Sequence, residues 1–224
     1  MLLSEKLRKR AEETIEKTYE DPYIQGLIKA DIPLESVRHY LRADSLYLEE
    51  FARIYGMIIA RARHKSDMIH FYNMMEMLMG EETDAHATLA KAVGEPYEQI
   101  IKDGEWYPSA DHYIKHMHYN VLARENIAFA VSAMAPCPYV YRIIAKKAIE
   151  RNNFPDDHPY LAWFEFYNND MEGILDVMFN ILDEEAKKLS EKDIKQLEQN
   201  FLQSVEHERR FFHMAYSQEH WPIS

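Results

Sequence analysis

Between Pro33 and about Arg63, apolar side chains return every three or four residues, at Val37, Leu41, Leu48, Phe51 and Tyr55. That spacing belongs to a helix with one buried face. One position on the stripe breaks the rule, because Asp44 sits in its middle. A second stripe near the C-terminus runs through Leu197, Phe201, Ser204, Phe211, Phe212 and Ala215, and there Glu208 takes the central position. A carboxylate withdrawn from water is costly unless it is paired, hydrogen-bonded or protonated. Neither stripe carries Lys or Arg on its own face, although Arg42, Arg209 and Arg210 are close in sequence. A satisfied buried acid, or a partly wet stripe, accounts for either position alone; two such acids beside a lone cysteine point to a site.

Breaks in the backbone are few, with six glycines and nine prolines in 224 residues, so long helices are expected over short strands. Ser4 is a plausible N-cap for a first helix to about Glu20, stopped by Asp21-Pro22. The long helix after Pro33 is followed by one from Ser66-Asp67 to near Gly94. Residues 95–110 read as a connecting segment. A helix from about Asp111 stops at Pro136, another leaves Pro138 for Asn152-Asn153, and one opening at Asp156–Pro159 kinks at Asn168-Asn169. Ser190 and Asp193 resemble a capping box for the last helix, which runs to about Gln218. The expectation is an all-α bundle of about eight helices, forming a single domain over residues 1–224.

Charge narrows the function classes. A net charge of -12 works against nucleic acid as a partner, since phosphate binding draws on clustered Lys and Arg. The basic pieces at Lys6–Arg10 and Lys146-Lys147 read as solvated helix faces. Met1 to Ser4 runs straight into Glu5, Lys6, Arg8 and Lys9, without the apolar core of a signal peptide. No later stretch reads as apolar enough to cross a bilayer, so no membrane is expected. A single cysteine forms no intrachain disulfide, which fits a reducing cytoplasm.

That cysteine lies in MAPCPYVY, residues 134–141. Free cysteines are commonly small buried hydrophobes. Proline, however, is favoured at the first helical position, so Pro138 places Cys137 at an N-cap, where the helix dipole and unpaired amides favour a thiolate. Cys137 is then a candidate nucleophile, with Glu208 and Asp44 as the available acids or bases. Tyr47 follows Asp44 by three residues and Tyr141 follows Cys137 by four, while Tyr113 and Tyr167 fall on other helices. Tyrosine supplies a flat apolar surface and a hydroxyl that can orient a heteroaromatic ring.

Five segments, YLRADSLYLEEFARIY (40–55), DHYIKHMHYNVL (111–122), MAPCPYVY (134–141), WFEFYNNDM (163–171) and EHERRFFHMAY (206–216), resemble the TenA/thiaminase II family in order and spacing. The resemblance implies a haem-oxygenase-like fold and a homotetramer. It implies hydrolysis of 4-amino-5-aminomethyl-2-methylpyrimidine to the hydroxymethylpyrimidine, in thiamin salvage, by chemistry that can also cleave thiamin. Carried over by motif, Cys137 is the nucleophile, Glu208 the catalytic glutamate and Asp44 the residue that holds the pyrimidine. Tyr47, Tyr113, Tyr141 and Tyr167 are the tyrosines of the substrate pocket. No cofactor and no metal are implied. Many members place Trp two residues after the cysteine, where this chain has Tyr139, and Pro138 replaces a common aromatic.

Rival readings have residues of their own. Haem on a related scaffold needs a histidine on the first helix, but the first histidine here is His39. A di-iron site could draw on Glu82, His86, His116, Glu208 and His213, yet the Glu-x-x-His pairs of such sites are missing. A non-catalytic pyrimidine-binding regulator needs neither Cys137 nor Glu208.

Overall fold

A computed structural model describes residues 1–169 and 172–222, apart from the side chains of residues 81–84 and of Glu172. The described residues form twelve α-helices: α1 (Leu3–Tyr19), α2 (Pro22–Lys29), α3 (Leu34–Ile59), α4 (Lys65–Met79), α5 (Glu81–Val93), α6 (Tyr97–Ile100), α7 (Pro108–Ala123), α8 (Ile127–Met134), α9 (Pro136–Arg151), α10 (Leu161–Asn169), α11 (Glu172–Ala186) and α12 (Glu191–Ser217). A 3-10 turn, Ile101–Asp103, follows α6. The class is all-α, as the helical periodicity requires.

The excess over eight helices comes from breaks the periodicity does not register. Gly80, at φ -113° and ψ -81°, divides the segment expected as one helix into α4 and α5. The segment before Ser190 divides into α10 and α11. The helix expected to run as far as Pro136 ends at Ala123, because Asn126 starts a new one: its side chain accepts the Ala128 N–H at 2.9 Å. Ser4 is not a cap either. Leu2 occupies that position, and Ser4, the second residue of the helix, gives its N–H and Oγ–H to Asp183 of α11 at 2.8 and 2.6 Å. A carboxylate brought in by tertiary packing replaces the local serine as partner. At α12, the Ser190 hydroxyl does accept the Asp193 N–H, at 3.2 Å.

α3 and α12 are the axial pair. α12 packs on α1, α2, α3, α7, α8 and α9, whereas α3 packs on α4, α5, α7 and α12. Both inward stripes are buried as their spacing requires, Leu48 alone only in part. Tyr40 stacks on Phe212 at 6.1 Å between ring centres and meets Phe211 edge-on at 5.9 Å, so aromatic rings fill the seam between the two helices.

Several basic side chains act as cross-links, not as a free solvated face. Lys6 and Arg10 of α1 both bind Glu198 of α12, Arg10 at 2.6 Å, and Glu198 is buried. Lys147 and Arg151 of α9 converge on Glu16 of α1 and hold its carboxyl down at about 2. Another correction concerns α8 and α9, joined through the single residue Ala135. The stretch Ile127–Arg151 is long and apolar enough to span a membrane, contrary to expectation, and 78% of its most apolar window is buried inside the fold. That apolarity serves the core.

The α7–α12 contact contains a titratable weak point. His207 of α12 stacks on Tyr113 at 5.0 Å and meets His112 and His116 at 4.6 and 5.4 Å. Burial and the neighbouring histidines lower its pKa from 6.5 to about 3. His39, stacked on Tyr107 at 3.6 Å, is lowered to about 4, chiefly by burial. A folded value below the unfolded one costs nothing above about pH 6.5; below it, the unfolded chain takes up protons that the fold refuses. Stability is therefore expected to fall with pH, with His207 contributing on the order of 2 kcal/mol at pH 5. Denaturant midpoints at pH 7.5 and pH 5 measure this, and His207→Asn should shrink the difference. An equal difference in that variant would clear His207 of the effect.

Candidate active site

Cys137 occupies the second position of α9, not its N-cap. Ala135 is the cap, with right-handed helical angles of φ -56° and ψ -29°, and Pro136 is the first residue. Pro136 and Pro138 lack an N–H, and the Tyr139 N–H is given to Ala135 O at 3.2 Å. The C-terminal end of α8 also abuts this helix start, so its dipole opposes that of α9. The two prolines that suggested an amide cradle thus remove most of it. Support for a thiolate has to come from side chains.

Those side chains form a line. The Tyr47 hydroxyl donates to Met117 Sδ at 3.9 Å and lies close enough to the Cys137 thiol and the Tyr113 hydroxyl to interact with both. Tyr113 in turn donates to Glu208 Oε1 at 2.7 Å. With the Tyr47 O–H turned from Met117 Sδ toward Tyr113, one proton assignment runs the whole line: S–H to Tyr47, Tyr47 O–H to Tyr113, Tyr113 O–H to Glu208. Burial is the leading cause that pushes both tyrosines well above their ordinary range, with the thiol adding to it at Tyr47 and the carboxylate at Tyr113. Both hydroxyls therefore stay neutral. Glu208, 2% exposed, takes no ion pair from its arginine neighbours; Arg209 and Arg210 bind Glu206 instead.

Asp44 is 3% exposed, and His86 of α5 brings Nε2 to 2.9 Å from its Oδ2. Arg42 turns away to Glu35 at 2.7 Å. Tyr141, which is near enough to feel both Asp44 and Glu208, shares a hydroxyl hydrogen bond of 2.8 Å with Tyr40 and packs on Tyr167 at 4.7 Å. Burial, then the neighbouring Tyr40 and the two carboxylates, raise its pKa. Cys137, Pro138, Tyr141 and Tyr167 face a cavity of about 20 Å³, closed on the other sides by Phe51, Tyr55, Met74, Met77, Leu78 and Ile174. That volume suits about one water molecule. Asp44, Tyr47, Tyr113 and Glu208 surround this space without lining it.

All seven residues singled out from the sequence are thus brought together by α3, α7, α9, α10 and α12. Tyr40, Tyr23 and the pairing of His86 were missed as parts of the site. Tyr40 had a signal, lying four residues before Asp44 on the same face. Tyr23 comes from α2 with a buried hydroxyl influenced by Asp44, and no local pattern foretells that. Tyr139 proves separate from the pocket: it packs on Phe179 and Phe201 at 5.4 and 6.1 Å, under Arg8. Pro138 is the departure that touches the cavity.

Among the described residues, the members of the di-iron set do not converge. His86 faces Asp44, His116 meets Asn200 O at 3.3 Å, His213 lies 3.3 Å from Asp21 and Glu208 takes Tyr113. The Glu82 side chain lies outside the described residues. Among those described, no three His, Cys, Asp or Glu groups converge as metal ligands.

Known proteins and solved structures resemble this chain over nearly its whole length. The chain is 42% identical to an aminopyrimidine aminohydrolase of Staphylococcus saprophyticus, over 99% of its own length and 96% of the relative's. It is 40% identical to the protein of that name from Staphylococcus aureus, with the same coverage. Among solved structures, a TenA homologue from P. horikoshii superposes with a TM-score of 0.81 at 23% identity, covering 97% of this chain and 99% of that one. Haem oxygenase-2 of Synechocystis superposes with a TM-score of 0.54 at 19% identity, covering 96% and 85%, which makes the fold haem-oxygenase-like. The TENA/THI-4/PQQC family model matches residues 8–218, and the chain belongs to that family.

Proposed function

We propose that this protein is an aminopyrimidine aminohydrolase of thiamin salvage, acting on 4-amino-5-aminomethyl-2-methylpyrimidine and, by the same chemistry, on thiamin. The observation that carries the reading is the line of side chains from Cys137 through Tyr47 and Tyr113 to Glu208. It gives a half-buried thiol a place to send its proton, which a packing cysteine does not need.

The steps follow from that line. The Cys137 proton passes to the Glu208 carboxylate, and the thiolate adds to a carbon of the electron-poor ring. The bond between the exocyclic carbon and the amine then breaks, and Glu208 gives the departing amine its proton. Water adds to the exocyclic carbon and leaves its proton on Glu208. The thiolate then departs, the ring regains its aromaticity, and the proton returns along the tyrosines. Ammonia and the hydroxymethylpyrimidine are the products. Asp44 binds the ring through its amino group or a protonated ring nitrogen, while Tyr141 and Tyr167 hold its face, a contribution of orientation. Met74, Met77, Leu78 and Ile174 have to move aside to admit the ring, since the cavity is smaller than the substrate; methionine is suited to that.

The lone thiol suits a reducing cytoplasm. Met68, Ile69, Tyr72 and Met79, exposed on α4, offer an apolar surface for a homotetramer. Incubation with the aminomethylpyrimidine and, separately, with thiamin tests the activity by mass spectrometry. The hydroxymethylpyrimidine is expected from the first; no product from either removes the enzyme reading.

A further inference from the structure

The line from Cys137 to Glu208 leaves one buried polar pair without a task. His86 is fully buried on α5, yet its imidazole is not surrounded by apolar side chains alone. Nε2 lies 2.9 Å from Asp44 Oδ2, the ring stacks beside Tyr97 at 6.0 Å, and Tyr40 meets it edge-on at 6.0 Å. The two rings flank the imidazole. The carboxylate within reach of Nε2 lies on the core face of α3, one turn from Tyr40 and Tyr47.

A buried carboxylate with two equivalent oxygens binds a planar ligand well only if something decides which oxygen is used and in what plane. A hydrogen-bond donor placed at one oxygen makes that decision. We propose that His86 is a positioning residue for substrate recognition: with its proton on Nε2 it engages Oδ2 of Asp44 and turns Oδ1 toward the amino edge of the pyrimidine. This rests on the aminopyrimidine reading above and names what gives that reading its selectivity for the ring. His86 acts through Asp44 and touches no reacting atom. Its loss therefore weakens ring binding and leaves Cys137 chemistry in place.

The test uses His86→Leu, His86→Gln, Asp44→Asn and the double variant Asp44→Asn/His86→Leu, each checked for folding by thermal melting. In His86→Leu, KM for the aminomethylpyrimidine is expected to rise about ten- to a hundredfold, the range for losing a hydrogen bond to a charged group. kcat and the rate of iodoacetamide reaction with Cys137 should change by less than about threefold, because neither depends on where the ring sits before binding. His86→Gln, whose amide N–H reaches toward the place of Nε2–H, should recover most of the KM. The double variant should be no worse than Asp44→Asn, since two residues acting through one contact are not additive.

A folded His86→Leu with unchanged KM, a glutamine variant no better than leucine, or additive losses in the double variant would each overturn the assignment. Wild-type enzyme that turns over the pyrimidine while His86→Leu matches it refutes this role alone. Wild-type enzyme with no turnover refutes the functional reading, and this role with it.

Discussion

Cys137→Ser is expected to lower kcat on the aminomethylpyrimidine by roughly a thousandfold or more while the melting temperature stays within about 3 °C. Serine is close in size to cysteine, and its hydroxyl can keep the contact with Tyr47, so packing around the cavity survives. Its proton is a different matter. A thiol, with an ordinary pKa of about 8.5, can be ionised by a carboxylate at the end of a relay, whereas an aliphatic hydroxyl cannot. No amide cradle compensates, because Pro136 and Pro138 carry no N–H. Product formation followed by mass spectrometry, beside a thermal melt, separates the two effects. Wild-type turnover by the folded serine variant would sink the nucleophile assignment.

Glu208→Gln is the second large effect, with a loss in kcat of about a hundred- to ten-thousandfold, as expected for removing a general acid and base. The substitution keeps an oxygen to accept the Tyr113 O–H, so that bond persists. It also replaces a carboxyl group, costly to bury in its charged form, by a neutral amide at a 2% exposed position, so stability should hold or rise. Glu208→Ala, by contrast, orphans the Tyr113 hydroxyl and should cost about 1–3 kcal/mol. A readout without substrate isolates the relay: the thiol of Glu208→Gln should react more slowly with iodoacetamide at pH 7, because its proton has nowhere to go. If alkylation proceeds at the wild-type rate while turnover is lost, Glu208 acts only on the amine and the water, and the line from Cys137 is not a relay.

The two anomalous acids show how much of the site was legible in advance. A carboxylate in the middle of an apolar stripe is a contradiction that one helix cannot resolve, so Asp44 and Glu208 were visible from spacing. Tyr47, one turn from Asp44, was visible for the same reason, and Tyr40 could have been. His86 could be seen only as a histidine with an uncertain use, because its partner comes from another helix. Cys137 departs from the expected N-cap for a physical reason. Proline is favoured at a helix start, but Pro136, not Pro138, begins this helix. The same ring that favours a start also deletes the amide that was meant to stabilise the thiolate.

Local periodicity and composition were enough for the all-α class, the inward faces of α3 and α12, and the two acids on them, since these depend on contacts within a turn or two of the chain. Cap identities, the division of α4 from α5 and of α7 from α8, and the partners of Lys6, Arg10 and Ser4 depended on side chains far away in sequence. So did the chemistry of MAPCPYVY. Its thiol lies on α9 at the end of a line of side chains that continues through a tyrosine from α3, a second from α7 and a glutamate from α12, and contacts among four helices have no signature in any one of them.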